Sequence, residues 1–179
     1  AKLWNIESGA CVQTFTGHDG CVLSAVFFGD GTSVLTASLD GTALWSIETG
    51  VCTQIFVGHT DFVWSAVFSG DEASVLTSSH DRTAKLWSID SGACIQTFTG
   101  HDHIVWSAVF SGDGTSVLTA SNDGTAKLWS IASGACIQTF AGHDKYVSSA
   151  VFSGDGTSVV TVSGDRTAKL WSIESGACI

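Results

Sequence analysis

Short apolar runs follow one another along the chain, and each is separated from the next by a polar turn. VWSAVFS (residues 63–69) is short and rich in β-branched and aromatic residues, which predicts a strand. SGDGTS (residues 111–116) predicts a tight hairpin turn. VLTAS, TAKLWSI and ACIQTF predict three further strands, with NDGT and SG as the turns between them. No stretch has a helical period, so the pattern predicts an all-β protein.

This four-strand pattern repeats along the whole chain. A period of about 40 to 45 residues with four strands per unit is typical of radial β-sheet arrays. The marks of the repeat are Gly-His pairs, an aspartate in a later turn and a tryptophan. The Gly-His pairs lie at residues 17–18, 58–59, 100–101 and 142–143, and the tryptophans are Trp4, Trp45, Trp87, Trp129 and Trp171.

The order of these marks resembles that of the WD-repeat β-propeller family. Each unit carries GH, a strand–hairpin–strand, S-x-D-[GR]-T and then LW, and the resemblance covers essentially the whole chain. The aspartate that follows the tryptophan in the family is replaced here, as in Trp45-Ser46 and Trp4-Asn5. The resemblance implies a single partial propeller of four-stranded antiparallel blades, about four of them, over residues 1–179.

The expected division of the chain follows from the repeat. Residues 1–16 supply the last two strands of a preceding blade, and residues 142–179 form a repeat with a truncated last strand. The complete repeats are 17–57, 58–99 and 100–141.

The resemblance also implies one hydrogen-bonded set of His, Ser, Asp and Trp inside each blade. Such a set would attach the loop before the first strand to the blade, since a buried indole N–H needs an acceptor. The four sets are His18/Ser38/Asp40/Trp45, His59/Ser79/Asp81/Trp87, His101/Ser121/Asp123/Trp129 and His143/Ser163/Asp165/Trp171.

The competing interpretation of these residues is a Ser-His-Asp hydrolase. Four copies of the set and the absence of a Gly-x-Ser-x-Gly elbow argue against it, so no catalytic residue is predicted. TALWS, which begins at Thr42, lacks the lysine of TAKLWS and is one residue shorter. A one-residue deletion in a strand turns later side chains to the other face, so we expect the first set to be distorted or incomplete.

Composition excludes several classes of function. The chain has 44% apolar residues and a formal net charge of −10, which argues against nucleic-acid or anionic-membrane binding. No apolar run approaches the roughly 20 residues of a membrane-spanning helix. The sequence has no zinc-like cysteine spacing and no phosphate-binding loop, so no metal and no cofactor is predicted.

Five of the six cysteines occupy one repeated position in successive fourth strands. Equivalent positions on neighbouring blades should lie beyond the roughly 7 Å Cα separation that a disulfide allows. We therefore expect free, buried or half-buried thiols and an intracellular, cytoplasmic location. The five are Cys11, Cys52, Cys94, Cys136 and Cys178.

Positions that differ between units indicate where a partner would bind. Large aromatic residues with polar neighbours are frequent anchors of protein interfaces, and the two middle units carry them. The alternative is that Trp64 and Trp106 only fill space between blades. The candidate partner-binding residues are Phe62, Trp64, His80, Ile104, Trp106, Asn122 and Tyr146.

The resemblance therefore implies a non-catalytic scaffold that binds protein or peptide partners on the propeller face. An alternative is the recognition part of a larger signalling protein whose catalytic domain lies outside this chain. The opening AKLWNIESGACV and the closing AKLWSIESGACI are nearly the same stretch. This overlap fits either a fragment of a longer array or a homodimer that completes an eight-bladed ring.

Overall fold

A computed structural model describes all 179 residues and contains 17 strands and no helix. Each strand pairs antiparallel with the next one in the chain, as expected for short apolar runs joined by tight turns. The strands form five sheets, of which the first has two strands, the last has three, and the other three have four.

The strand bounds show the repeat directly. The first sheet contains β1 (Lys2–Trp4) and β2 (Cys11–Thr14). Blade 1 contains β3 (Val22–Phe27), β4 (Ser33–Ser38), β5 (Gly41–Ser46) and β6 (Cys52–Phe56). Blade 2 contains β7 (Val63–Phe68), β8 (Ser74–Ser79), β9 (Ala84–Ser88) and β10 (Cys94–Phe98). Blade 3 contains β11 (Val105–Phe110), β12 (Ser116–Ser121), β13 (Thr125–Ser130) and β14 (Cys136–Ala141), and blade 4 contains β15 (Val147–Phe152), β16 (Ser158–Ser163) and β17 (Ala168–Ser172).

The blades are arranged around their first strands. β3, β7, β11 and β15 contact one another in chain order, so they form the inner edge of the array. Three of them also contact the second strand of the preceding blade: β7 contacts β4, β11 contacts β8 and β15 contacts β12. These contacts give an arc of blades, which is a partial β-propeller.

The hydrophobic core is divided into clusters that lie between successive blades. The cluster between blades 1 and 2 joins Leu35 and Phe56 of one blade to Val63 and Trp87 of the next. In every cluster a phenylalanine packs on a tryptophan of the following blade, with ring centroids 5.9 to 6.2 Å apart. One blade therefore has no complete core of its own, and each is stabilised by its neighbours.

Each inner strand contains a β-bulge near its start. In blade 2 the pairing with β8 shifts between Val63 and Ser65, so Trp64 is the additional residue. The same shift occurs in the other inner strands, which places Leu23, Trp106 and Ser148 at the equivalent position. The bulge changes the direction of this side chain. The residue at this position also differs between blades.

Candidate functional site

Within each blade a histidine, an aspartate, a threonine and a tryptophan form one hydrogen-bonded chain. In blade 3 His101 Nδ1 lies 2.7 Å from a carboxylate oxygen of Asp123, and Nε2 lies 2.7 Å from Thr119 Oγ1. The indole N–H of Trp129 donates to the same hydroxyl oxygen at 2.8 Å. The other three blades have the same bonds, all between 2.7 and 2.8 Å.

Donor chemistry gives the direction of this chain. An ionised aspartate only accepts, so Nδ1–H of the histidine donates to it, and Nε2 of a neutral imidazole is then an acceptor. The threonine hydroxyl can donate to Nε2 while it accepts from the indole N–H, which is a donor only. All four polar groups are thereby satisfied inside the blade. They need these partners because they are shielded from water: His101 is 6% exposed and Trp129 is 1% exposed.

The linking hydroxyl belongs to threonine, so the prediction that Ser38, Ser79, Ser121 and Ser163 join His to Trp was wrong. Trp87 pairs with Val75, and Thr77 lies two residues further along that strand on the same face. A diagonal neighbour at that distance is within reach of an aromatic side chain, whereas Ser79 lies two residues beyond it. The sequence signal for these threonines is the invariant Thr of VLTAS, VLTSS and VVTVS, two residues before the serine.

The serines stabilise the turns instead. Ser79 Oγ accepts from the amide of Asp81 at 3.1 Å and donates to the carbonyl of Asp61 at 3.2 Å. Ser121 and Ser163 make the same two bonds, whereas Ser38 only accepts from the amide of Asp40, at 3.4 Å. The serine hydroxyls thus do not reach the histidines, and this geometry does not match a Ser-His-Asp nucleophile.

The aspartate of each set attaches the loop that precedes the inner strand. A carboxylate oxygen of Asp123 accepts from the amide of Asp102 at 3.1 Å, in addition to its bond with His101. Burial raises the pKa of Asp123, but hydrogen bonds from His101 and Thr125 outweigh it and hold that pKa well below its usual range. For Asp40 burial is likewise outweighed, by bonds from Ser38, Asp19 and His18, which lower its pKa to about 2. These carboxylates are therefore ionised acceptors at neutral pH.

The first blade keeps the bonds among His18, Thr36, Asp40 and Trp45, so the expected distortion is confirmed only at the turn. There Ser38 makes one of the two bonds of the other serines, and Asp40 lacks the threonine bond of the other aspartates. His18 Nδ1 lies 2.7 Å from Asp40, and Thr36 receives the indole N–H of Trp45 at 2.7 Å. The deletion is absorbed by the turn, because Ser38 pairs directly with Gly41 and the strand register beyond it is preserved. Thr42 consequently takes the place that Ala84 has in blade 2, and its buried hydroxyl has no hydrogen-bond partner.

Four of the predicted partner-binding residues come together at the junction of blades 2 and 3. Trp64 and Trp106 are half-buried and their ring centroids are 4.7 Å apart. Trp64 stacks on His80 at 6.4 Å, and Phe62 meets the same imidazole edge-to-face at 5.9 Å. We call Phe62, Trp64, His80 and Trp106 the aromatic cluster. Its Phe62 side chain is 42% exposed.

The other three candidates are not members of this cluster. Ile104 is buried at 8% exposure, and Asn122 contacts His103 at 3.1 Å through its amide nitrogen. Tyr146 is 45% exposed and lies against Gly164 in blade 4. Ile104 still lines the groove that His80 borders, whereas Tyr146 lies in another blade.

A groove of about 610 Å³ opens beside the aromatic cluster, between the loops of blades 2 and 3. Sequence reasoning missed most of its charged residues, although they also differ between repeats: Asp61, His103 and Lys145 occupy equivalent positions. We call it the blade 2–3 groove. Its lining includes Asp61, His80, Asp81, Arg82, Asp102, His103 and Ile104.

The comparison with protein families agrees with this geometry. The family model described as "WD domain, G-beta repeat" matches residues 9–45, 50–88, 92–130 and 134–172. The chain belongs to the WD-repeat family. A 41-residue stretch of this WD-repeat array is 51% identical to Periodic tryptophan protein 2 of Arabidopsis thaliana, over 23% of this chain and 5% of that protein. The chain thus matches only a small part of that relative's length.

Two further observations concern membrane-spanning helices and the cysteines of the WD-repeat array. It has no helix with the length and apolar character needed to cross a bilayer. Its six cysteines are all free thiols; Cys52 is half-buried and the other five are exposed, so they are less buried than expected from the sequence. Burial raises the pKa of the Cys52 thiol.

Proposed function

We propose that this WD-repeat array is a non-catalytic scaffold that binds protein or peptide partners at the aromatic cluster. The observation that carries this proposal is the clustering of four aromatic rings at the surface, where Phe62 is 42% exposed and Trp64, His80 and Trp106 are only half-buried. The same cluster also holds most of the unsatisfied polar atoms of the protein. Five buried side-chain atoms in the protein have no hydrogen-bond partner, and three belong to this cluster: Trp64 Nε1, Trp106 Nε1 and His80 Nδ1.

Such atoms are uncommon, because leaving a buried donor unpaired costs about 1 to 3 kcal/mol. The cluster borders the blade 2–3 groove through His80, and Phe62 exposes an aromatic ring beside it. Exposed aromatic side chains with large apolar area beside polar residues are frequent anchors of interfaces. The same role holds if the array is the recognition part of a longer protein.

Selection of peptides and a matched pair of variants test this function. Dodecapeptides would be selected from a random phage-displayed library on the immobilised protein, and their Kd values measured by fluorescence anisotropy. We expect Phe62→Ala to raise Kd about tenfold, which corresponds to a typical interface anchor. Ile95→Ala, which truncates an exposed residue on the outer strand β10, is the control and should change Kd less than twofold.

Near-ultraviolet circular dichroism of both variants would show that the fold is retained. A library that yields no binder, or binders that Phe62→Ala leaves unaffected, would contradict the proposal. Tyr146 and Asn122 remain proposed contacts of the same face, and the same assay applies to them.

We further propose that two copies associate through the flanks of the array. Trp4 is 55% exposed, whereas the equivalent Trp45 is 3% exposed. At the other flank Leu170 is 41% exposed, whereas the equivalent Leu128 is 4% exposed. Because the repeats are nearly identical, each flank presents the residues that blades inside the array use to hold their neighbours. A second copy therefore offers matching surfaces for both flanks, as a homodimeric ring requires.

We also infer an intracellular, cytoplasmic location. Exposed free thiols persist in a reducing compartment, and five of the six cysteines here are exposed. The net charge of −10 supports a partner that is neither a nucleic acid nor an anionic membrane.

A further inference from the structure

We infer that the blade 2–3 groove receives an arginine or lysine side chain of the peptide partner, with the aromatic cluster beside it as the apolar platform. This inference rests on the function proposed above and adds the chemistry of the residue that is recognised. It is carried by the carboxylates of the groove, by the neighbouring aromatic rings and by a comparison with the equivalent position in the next blade.

Two carboxylates of the groove have no cationic partner. All four salt bridges of the protein join the histidine and aspartate of one blade set, and neither Asp61 nor Asp102 takes part in any of them. Both residues are exposed and both line the groove. Asp61 accepts only from the amide of Phe62, so most of its acceptor capacity is free.

A third carboxylate at the same place is held ionised. Asp81 lines the groove and accepts from His59 at 2.7 Å. Burial raises the pKa of Asp81, but hydrogen bonds from His59 and Thr83 outweigh it and hold that pKa far below its usual range. The groove therefore carries negative charge that folding maintains, and a cationic side chain complements it.

The aromatic cluster supplies a second interaction suited to a cation. Phe62 is exposed and meets His80, which lines the groove, edge-to-face, while Phe62 itself faces the neighbouring groove of blades 1 and 2. A cation over an aromatic face gains about 0.5 to 1 kcal/mol at an exposed site. The methylene stem of arginine or lysine also packs on apolar surface while its charged end reaches the carboxylates.

The positive groups of the groove define its selectivity. Arg82 is exposed, forms no salt bridge and opposes the carboxylates as the one permanently charged cation of the groove. His103 Nδ1 is already used, since it accepts from the amide of Ile104 at 2.9 Å and contacts Asn122. Removing the Arg82 side chain should therefore strengthen the binding of a basic peptide, which a purely apolar site would not show.

The equivalent junction of blades 3 and 4 has the same formal charge but lacks the aromatic cluster. There His103 takes the position of Asp61, Lys145 takes that of His103, and Asn122 takes that of His80. Asp102 there takes the position of Thr60, and Gly124 takes that of Arg82, so both junctions carry three carboxylates and one permanent cation. What differs is the aromatic cluster, because Ile104 and Ser148 take the positions of Phe62 and Trp106. The combination of negative charge and aromatic platform is therefore specific to the junction of blades 2 and 3. The net charge of −10 on the whole chain further favours the approach of a basic partner.

The phage-displayed dodecapeptide library tests this inference through the charge of what it selects. We expect arginine and lysine to be enriched over the unselected library and aspartate and glutamate to be depleted. Asp61→Asn and Asp102→Asn should each raise the Kd of a selected peptide about two- to fivefold, as expected for an exposed ion pair. Asp144→Asn is the matched control for Asp102→Asn, because both residues follow the Gly-His pair and donate an amide to the aspartate of their set.

Arg82→Gly should lower Kd about twofold. Its control is Arg166→Gly at the same turn position of blade 4, where φ is also positive (69° at Arg82 and 73° at Arg166), so that any relief of backbone strain is common to both. Binding of the basic peptides should weaken with added salt.

The outcomes separate the two proposals. Selected peptides that depend on Phe62 but carry no excess of basic residues, or that bind Asp61→Asn and Asp102→Asn as tightly as the unchanged protein, would overturn the inference and leave the proposed function standing. Peptides that do not depend on Phe62 would overturn the proposed function itself. Basic peptides that are sensitive to both carboxylates and to Phe62 support both.

Discussion

At the level of single residues, a threonine hydroxyl joins the polar network of each blade. Thr119 lies between His101 Nε2 and the indole N–H of Trp129, and all three groups are buried. His101 Nε2 and Trp129 Nε1 have no other partner. The Nδ1 atom of His101, on the opposite side of the imidazole, bonds to Asp123 and lies near Thr125. The hydroxyl thus satisfies two buried groups at once, and its loss should be more costly than that of one hydrogen bond.

We expect Thr119→Val to lower the free energy of unfolding by about 2 to 3 kcal/mol, because it keeps the shape of the side chain but leaves two buried polar groups unpaired. Ser121→Ala removes the turn hydroxyl that the sequence predicted in this role. It should lower the free energy of unfolding by only about 1 kcal/mol. Urea denaturation followed by tryptophan fluorescence measures both. An equal or larger loss for Ser121→Ala would contradict the threonine-centred network.

A second threonine gives the opposite prediction. The hydroxyl of Thr42 is buried and unpaired, in the position where blades 2 and 3 have Ala84 and Ala126. Thr42→Val replaces that hydroxyl by a methyl group of similar size, so it should raise the free energy of unfolding by about 1 kcal/mol. Thr36→Val, in the same blade, removes a fully bonded hydroxyl and is the control that should be destabilising. A loss of stability in Thr42→Val would show that the hydroxyl has a partner.

At the level of elements, the turn between the first and second strands shows how the repeat tolerates change. Blades 1, 3 and 4 place Gly31, Gly114 and Gly156 there, with φ between 69° and 73°. Blade 2 has Glu72 in the same left-handed conformation, at φ 58°. The bonds of the turn are otherwise the same, since Asp71 accepts from Ser69 Oγ and the amide of Ala73 as Asp113 does from Ser111 Oγ and the amide of Thr115.

We expect Glu72→Gly to raise the free energy of unfolding by up to about 1 kcal/mol, since glycine adopts a positive φ without the steric penalty of a side chain. The reciprocal change Gly114→Glu should lower it by about 1 kcal/mol. A side chain at Gly114 meets nothing within 4 Å, so the backbone alone sets that cost. Thermal unfolding of the pair, compared with the unchanged protein, tests this. Equal midpoints for all three proteins would mean that the turn carries no strain.

At the level of the whole molecule, the stability of the array depends on contact between blades. Every core cluster is shared by two adjacent sheets, so the outer faces of the array expose side chains that are buried elsewhere. Phe27 is 60% exposed and Val22 is 36% exposed, whereas Val63, the equivalent of Val22, is 1% exposed. Exposed apolar surface of this kind favours association.

We expect the protein to sediment as a dimer of twice 18.6 kDa, because a second copy covers both flanks. Leu170→Lys places a charge in that contact and should raise the dimer dissociation constant at least tenfold. Ile95→Lys changes a side chain that is 56% exposed on the outer strand β10, away from both flanks, and should leave it unchanged. Sedimentation velocity over a range of concentrations measures all three, and a monomer at every concentration would contradict the proposed dimer.

The sequence by itself determined the strands, their order and the family, since apolar runs of strand length between Gly-Asp-Gly turns leave little choice of local structure. It also placed histidine, aspartate and tryptophan in one set per blade. Only the tertiary structure decided that Thr119 and not Ser121 completes the set, because both hydroxyls lie on one face of the strand and only distance to the indole separates them.

The same holds for the deletion in blade 1 and for the aromatic cluster. A missing residue alters either a strand or a turn, and the pairing of Ser38 with Gly41 shows that the turn absorbs it. Likewise, Trp64 and Trp106 are 42 residues apart in sequence, and only the packing of neighbouring bulges brings their rings to 4.7 Å. Local propensity fixes each strand, whereas contact between blades depends on how the strands are arranged around the common axis.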